Sequence, residues 1–185
     1  MENRLFSAAR IRICAPRAED IDTMALWYQD DVYLRSVDTE PAFPLSAEKL
    51  AKIMLPADND FYFHIRTKAD DRLIGFVTLH SIEWNNQQAS LAMGIGQAKD
   101  RGQGFGDEGL KLIMRYAFME LNLHRLSLEV ISCNAHALSL YERNGFVKEG
   151  VIRQAVYRDN KRSDRVAMGI LRPEWLENNG LNPIN

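Results

Sequence analysis

The stretch RGQGFGDEGLKLIMRYAFMEL, residues 101–121, places a glycine-rich turn directly before the most regular amphipathic helix of the chain. Apolar residues recur there every three or four positions, which puts them on one face of a helix. They are Leu110, Ile113, Met114, Ala117, Phe118 and Leu121. Glycines let backbone N–H groups approach an anion, and the helix N-terminus adds partial positive charge. The turn therefore predicts a phosphate cradle, although a loop that only needs glycine for positive φ explains the pattern about as well.

The residues of the predicted cradle are Arg101, Gly102, Gln103, Gly104, Phe105 and Gly106. Arg101 is expected to add a full positive charge. No Gly-Lys-Ser/Thr follows, so the turn is not a nucleoside-triphosphate loop. A dinucleotide fingerprint would need glycine at position 107, where the chain has Asp107, although Glu129 could imitate its acidic ribose ligand. A dinucleotide-binding enzyme therefore remains an alternative.

Residue periodicity on both sides of this turn predicts an α/β (α+β) fold built on a mixed sheet. Strands are predicted at about 11–15, 61–65, 73–79, 89–95, 125–131, from 146 onward and 164–171. Helices are predicted at about 19–29, 46–55, from 106 and at 134–144. Gly94 and Gly96, at the end of one strand, indicate either a β-bulge or a close approach of the backbone.

The composition is that of one soluble domain spanning residues 1–185. The formal charge of -2 gives no reason to expect nucleic acid or an anionic membrane as a partner, and no apolar run approaches a membrane span. Cys14 and Cys133 have no metal-ligand or redox spacing, so we expect no metal and a reducing, cytoplasmic location. Residues 18–48, however, contain eight acids and one base.

A second motif, Asn134-x-x-Ala137-x-x-Leu140-Tyr141, is followed by Gly145-Phe146. Asn134 and Tyr141 are seven residues apart, two helical turns, so both project toward the same side of a helix. Taken alone, the pattern is more typical of an ordinary N-cap and a half-buried tyrosine than of a site. Its occurrence after the glycine-rich turn, at the end of a neighbouring strand, favours a shared site.

Together these two segments resemble the motifs of the GNAT superfamily of N-acetyltransferases. Residues 101–106 resemble its Gln/Arg-x-x-Gly-x-Gly/Ala element, and residues 134–146 resemble its Asn-x-x-Ala-x-x-Leu-Tyr-x-x-x-Gly-Phe element. The phrases AFMELNLHRLSLEV and LYERNGFVKEG are most similar to the RimJ/RimL branch, which contains ribosomal-protein N-terminal and spermidine acetyltransferases. The resemblance covers about residues 10–172 and implies a mostly antiparallel sheet of about seven strands with about four helices.

The resemblance implies acetyl-CoA as cosubstrate and a primary amine as acceptor, and it assigns roles by position. Met93, Gly94 and Ile95 would offer backbone N–H groups to the thioester and pantetheine, and Asn134 and Ala137 would also contact the cofactor. Tyr141 would contact it as well and act as the general acid. A non-catalytic acyl-CoA-binding or sensing domain on the same fold is the main alternative.

Two positions depart from the family pattern. Asp107 stands where relatives commonly have Thr or Ser, so its carboxylate must point away or weaken cofactor binding. Ser90 stands where many relatives have Glu, the usual base. We take Glu83 as the base instead, with His80 or a water chain as alternatives.

The acidic stretch bears on the acceptor. A field of carboxylates beside the acceptor side of the site would favour a cationic amine, such as a polyamine, an aminoglycoside or a basic N-terminus. An ordinary solvated helical face explains the acids equally well. His124, His136 and Cys133 are expected to be structural, and a homo-oligomer is compatible with the sequence.

Overall fold

A seven-stranded sheet forms the centre of the computed structural model, which describes residues 5–53 and 59–181. The strands are β1 (Ile11–Cys14), β2 (Phe61–Thr67), β3 (Leu73–Glu83), β4 (Gln88–Ile95), β5 (Arg125–Ile131), β6 (Val147–Arg158) and β7 (Lys161–Leu171). Their order is β1-β2-β3-β4-β5-β7-β6, and every neighbouring pair is antiparallel except β4–β5. The predicted mixed, mostly antiparallel sheet is confirmed.

Six α-helices accompany the sheet in the described part of the chain. They are α1 (Asp20–Trp27), α2 (Asp31–Val37), α3 (Ala47–Ile53), α4 (Phe105–Arg115), α5 (Ala135–Arg143) and α6 (Arg172–Asn178). A π-helical segment, Tyr116–Glu120, continues α4. The predicted end of α3, at about residue 55, lies outside the described residues. No helix in the described part of the chain is long and apolar enough to cross a membrane.

The sequence patterns missed α2 and α6 because each helix has only seven residues, too few for a clear apolar period. Short-range capping stabilises the start of both helices. Asp30 accepts a hydrogen bond from the Tyr33 N–H at 3.1 Å at the start of α2. The Glu174 carboxylate accepts one from the Leu171 N–H at 2.8 Å at the start of α6. The Asp30 cap fixes the entry of α2, which forms one wall of the site described below.

The site depends on the parallel pair β4–β5, because these two strands separate after a short paired stretch. The two strands are paired only from Gln88↔Arg125 to Ser90↔Ser127. Beyond Ser90 no pairing joins them, and a cleft lies between their carboxyl ends. A gap of this kind leaves backbone groups on both strands without sheet partners.

Gly94 and Gly96 near the end of β4 reflect close packing, and the alternative prediction of a β-bulge there is wrong. The β3–β4 register is continuous from Gly75↔Ile95 to His80↔Ser90, and its irregularity falls between His80 and Glu83. A Cβ on Gly96 would overlap the indole of Trp27, and one on Gly94 would lie 2.9 Å from the Phe76 ring. The helices α1 and α2 can therefore approach β4 only because these positions carry no side chain.

Candidate active site

A cleft of about 620 Å³ lies where β4 and β5 separate. One wall is α2 with the loop that follows it, and the other is the glycine-rich turn with α5. Nine of the predicted site residues line the cleft: Met93, Gly94, Ile95, Arg101, Gly102, Gly106, Asn134, Ala137 and Tyr141. Three more, Gln103, Gly104 and Phe105, lie in the same turn but do not line the cleft.

The floor of the cleft includes an open backbone edge of β4. The Gly96 N–H donates to the Ile74 carbonyl of β3 at 2.9 Å. Because backbone groups alternate in direction along a strand, the N–H groups of Met93 and Ile95 point away from β3. Those two groups face the gap that β5 leaves, so they can pair with an extended ligand laid along β4.

The glycine-rich turn has the geometry of an anion cradle. Gly102 and Gly104 have φ of 73° and 83°, which accounts for glycine at both positions. A Cβ on Gly102 would meet nothing within 4 Å, so the space above it is open. Gly104 is the N-cap of α4, whose first N–H groups have no acceptor within the helix. The turn fits the diphosphate of a nucleotide-bearing cofactor.

Arg101 does not offer the cradle the free positive charge expected from the sequence. Its guanidinium donates to the Asp30 carboxylate at 2.9 Å, to the Ile95 carbonyl at 3.1 Å and to the Gly96 carbonyl. It also lies over the ring of Tyr33, at 5.4 Å from the centroid. Arg101 therefore joins the end of β4 to the start of α2, and Asp30 offsets its charge.

A different arginine, which the sequence patterns did not single out, lies beside the turn. Arg10 donates to the Gln103 carbonyl at 2.9 Å and packs over the Phe105 ring at 4.9 Å. One of its terminal nitrogens is 2.9 Å from the position a Cβ on Gly104 would take. Glu108 pairs with this guanidinium. Because Arg10 precedes the turn by more than 90 residues, no local pattern could have linked the two.

Asn134 caps α5 and also contacts the opposite wall. Its side-chain oxygen accepts a hydrogen bond from the Ala137 N–H at 3.1 Å, as in the ordinary N-cap alternative. Its amide donates to the Ser36 carbonyl of α2 at 3.4 Å. Asn134 therefore fixes the start of α5 and spans the cleft from α5 to α2.

Tyr141 is the buried phenol of the α5 wall. It is 7% exposed, it lines the cleft, and its ring packs edge-on against Phe146 with centroids 5.5 Å apart. Burial raises the pKa of Tyr141 to about 12. The hydroxyl is therefore protonated at neutral pH and can serve as a proton donor.

Glu83, the predicted base, lies away from the cleft. It pairs in register with Gln88, five residues along β4 from Met93, which corresponds to roughly 17 Å of strand. Hydrogen bonds from Asn86 and then Gln88 lower the pKa of this exposed carboxylate. His80, opposite Ser90 on β3, does not line the cleft either. The structure therefore places Glu83 outside the cleft and gives no support to its assignment as the base.

The carboxylates that do line the cleft are Asp38, Asp100 and Glu129. Arg72 holds the buried Asp100 through two contacts at 2.7 and 3.0 Å, and Arg165 pairs with Glu129 at 2.8 Å. The Thr39 N–H donates to Asp38, for which no ion pair is found in the described part of the chain. Asp38 is therefore the acid of the cleft whose charge is least offset.

Part of the acidic stretch is neutralised within the protein. Asp20 is buried against His64 and Arg66, Asp30 pairs with Arg101, and Glu48 pairs with Lys52. Of the eight acids, Asp38 lines the cleft.

Asp107, the residue after the turn that departs from the family pattern, points away from the cradle. Its carboxylate contacts Lys111 at 2.6 Å and accepts a hydrogen bond from the Asn144 side chain at 2.8 Å. The acid therefore faces α5 and its own helix, which leaves the backbone donors of the turn open to a ligand.

Comparison with known proteins gives a match over most of the chain. A family model described as an acetyltransferase (GNAT) domain matches residues 10–147. A probable N-acetyltransferase, YjcK, of Bacillus subtilis is 36% identical over 123 residues, which cover 65% of this chain and 66% of that protein. A spermidine N(1)-acetyltransferase of Vibrio cholerae is 32% identical over 108 residues, which cover 58% of this chain and 62% of that protein.

The same fold occurs among solved structures. A crystal structure of spermidine N-acetyltransferase from Vibrio cholerae, in complex with CoA and spermine, superposes with a TM-score of 0.81. The superposition covers 90% of this chain and 98% of that chain, at 24% sequence identity. At this identity the likeness concerns the fold.

Proposed function

We propose that this chain, which belongs to the acetyltransferase (GNAT) domain family, acetylates a primary amine with Tyr141 as the general acid. Family membership makes the protein an acetyl-CoA-dependent N-acetyltransferase. One observation carries the assignment of the acid. Tyr141 is a buried phenol in the wall of a cleft whose floor, between β4 and β5, includes unpaired backbone donors.

The residues of the cleft fit acetyl-CoA. The N–H groups of Met93 and Ile95 would pair with its pantetheine arm, and the N–H groups of residues 102–106 would hold its diphosphate. Acetyl-CoA supplies an activated acetyl thioester. The protein supplies the orientation of that group, exclusion of water and a proton donor on the α5 wall.

Tyr141 can donate its proton although its own pKa is high. Burial, which raises the pKa of Tyr141, also makes a thiolate formed beside it more basic than in water. Proton transfer is therefore favoured as the carbon–sulfur bond breaks and not before. The amine nitrogen loses a proton in the same reaction, which can restore the phenol directly or through water.

We infer that the acceptor is a small cationic amine, with a polyamine as the first choice and a peptide or protein N-terminus as the alternative. The Vibrio cholerae relative at 32% identity is named for spermidine, and Asp38 brings a carboxylate to the α2 wall of the cleft. The organisation of residues 1–185 as a single domain and a cytoplasmic location remain predictions.

The test is a screen of acetyl-CoA turnover with spermidine, amino acids, aminoglycosides and short peptides as acceptors. We expect acetylation of at least one amine, and a strong loss of that activity in Tyr141→Phe. Tight CoA binding without turnover of any amine would instead favour a non-catalytic acyl-CoA sensor. Thermal protection by NAD but not by CoA would favour a dinucleotide-binding enzyme.

A further inference from the structure

The two faces of the sheet differ at the cleft. Met93 and Ile95 belong to the apolar core, and Met93 lies within 3.8 Å of the Cβ positions of Gly106 and Gly109, on the α4 side. Side chains alternate along a strand, so Gly94 faces the opposite side, where α1 and α2 pack. A second, smaller apolar cluster lies on this side of the sheet and includes Tyr33. Phe76, the partner of Gly94 on β3, packs against this cluster.

Tyr33 of α2 brings a second tyrosine hydroxyl to the cleft, on that opposite face. The residue is 3% exposed and lines the cleft. Its hydroxyl oxygen is 3.1 Å from the position a Cβ on Gly94 would take, directly above the open part of β4. Within residues 5–53 and 59–181, no hydrogen bond is found for its hydroxyl, although the residue as a whole is buried. The hydroxyl is therefore available to a ligand in the cleft that Tyr33 lines.

The ring of Tyr33 is held from three sides. Trp27 and Tyr28 contact it edge-on, with centroids 6.1 and 6.5 Å away, and the Arg101 guanidinium lies over it. Asp30 fixes its backbone N–H and binds the same guanidinium. The position of the hydroxyl is therefore set by packing and by the turn that we assign to cofactor binding. Burial raises the pKa of Tyr33, so the hydroxyl keeps its proton.

We propose that the hydroxyl oxygen of Tyr33 accepts a hydrogen bond from the attacking amine and orients it toward the acetyl group. This inference rests on the proposed function and names the acceptor subsite, the α2 face of the cleft above Gly94. The amine gives a proton to solvent before it attacks, and Tyr33 keeps its own. Tyr141 then donates a proton to the departing sulfur, whereas Tyr33 accepts a hydrogen bond from the attacking nitrogen.

The placement favours the nitrogen over the acetyl carbonyl oxygen as the partner of Tyr33. The N–H groups of Met93 and Ile95 lie in the plane of the sheet and already offer donors to a carbonyl laid along β4. The Tyr33 hydroxyl lies above that plane. A nucleophile approaches a carbonyl carbon from outside the carbonyl plane, so the α2 face is the side from which the amine would attack.

The test compares Tyr33→Phe with Tyr28→Phe, the neighbouring tyrosine, which packs in the same cluster without lining the cleft. For Tyr33→Phe we expect kcat/KM for spermidine to fall about fivefold, because a positioned hydrogen bond contributes about 1 kcal/mol. By calorimetry, the Kd of spermidine for the CoA complex should rise at least threefold. The CoA Kd and the melting temperature should stay unchanged, and Tyr28→Phe should behave as the parent.

A second measurement, the slow hydrolysis of acetyl-CoA without amine, separates the two possible partners of the hydroxyl. If Tyr33 orients the amine, hydrolysis in Tyr33→Phe should stay within about twofold of the parent rate. An equal loss of hydrolysis and amine transfer would overturn the proposal in favour of a carbonyl-side donor. An active parent with unaffected amine kinetics in Tyr33→Phe would overturn this inference alone. A parent inactive with every amine of the screen would overturn the proposed function and this inference together.

Discussion

The two walls of the cleft are built in different ways. The wall formed by the turn and α5 consists of two continuous segments, residues 101–106 and 134–141, whose local geometry creates the donors of the site. The α2 wall depends on contacts between distant residues, such as Asp30 with Arg101 and Tyr33 with Gly94. Cofactor binding therefore rests on local backbone conformation, whereas the acceptor side rests on tertiary packing.

The largest expected effect belongs to the α5 wall. Tyr141→Phe should lower kcat by about 10² or more, the effect expected for a lost general acid, because the phenyl ring keeps the packing and loses the proton. Steady-state kinetics and CoA calorimetry check this, and the CoA Kd should not change. Tyr116→Phe is a matched control, since Tyr116 is also a buried tyrosine but does not line the cleft.

The pH dependence of kcat tests the assignment of Tyr141 as the general acid. Because burial raises the pKa of Tyr141 to about 12, the acid stays protonated as pH rises from 7 to 10. Its ionisation should therefore cause no loss of kcat in that interval. A decrease of kcat with a midpoint near pH 9, still present in Tyr141→Phe, would identify another group as the proton donor.

The next largest effect is expected for a substitution in the glycine-rich turn. Gly104→Val forces a β-branched residue into a left-handed φ of 83° and places a side chain against Arg10, so the turn must change shape. We expect the CoA Kd to rise tenfold or more, on the order of 1.4 kcal/mol. Gly180→Val is the control, because Gly180 also has positive φ but follows α6 and lies outside the glycine-rich turn. An unchanged CoA Kd in Gly104→Val would remove the diphosphate from this turn.

The difference between the walls also explains what the sequence could predict. The positions of the strands along the chain, α4, α5 and the turn follow from periodicity and from glycines, which are local properties. The orientation of Arg101 toward Asp30 and the approach of Arg10 to Gly104 join residues more than 70 positions apart. Glu83 is close to β4 in sequence, but the hairpin register places it at the end of that strand far from the cleft.

The two walls meet at Asp30, and its removal should affect both. Asp30→Asn weakens the cap of α2 and the tie to Arg101, so α2 and Tyr33 lose part of their support. We expect the acceptor KM to rise about fivefold, with a smaller rise in the CoA Kd, as estimated from the roughly 1 kcal/mol of a typical cap. Asp31→Asn, one residue along, is the control. If Asp30→Asn changes neither constant, the walls are independent and Arg101 serves only the fold.

The smallest effect should be that of salt on acceptor binding. The density of acids in residues 18–48 suggests a strong field, but Asp20, Asp30 and Glu48 are paired internally, and Asp38 lines the cleft. One exposed charge contributes about 1 kcal/mol or less, and the Debye length falls from about 10 Å at 0.1 M salt to about 3 Å at 1 M. The KM for spermidine should therefore rise roughly threefold over this range. Asp38→Asn should flatten the dependence, whereas Glu48→Gln should not. A rise of tenfold or more that survives in Asp38→Asn would mean that the acids act together at long range, and the α2 wall would then select its substrate by charge instead of by the position of Tyr33.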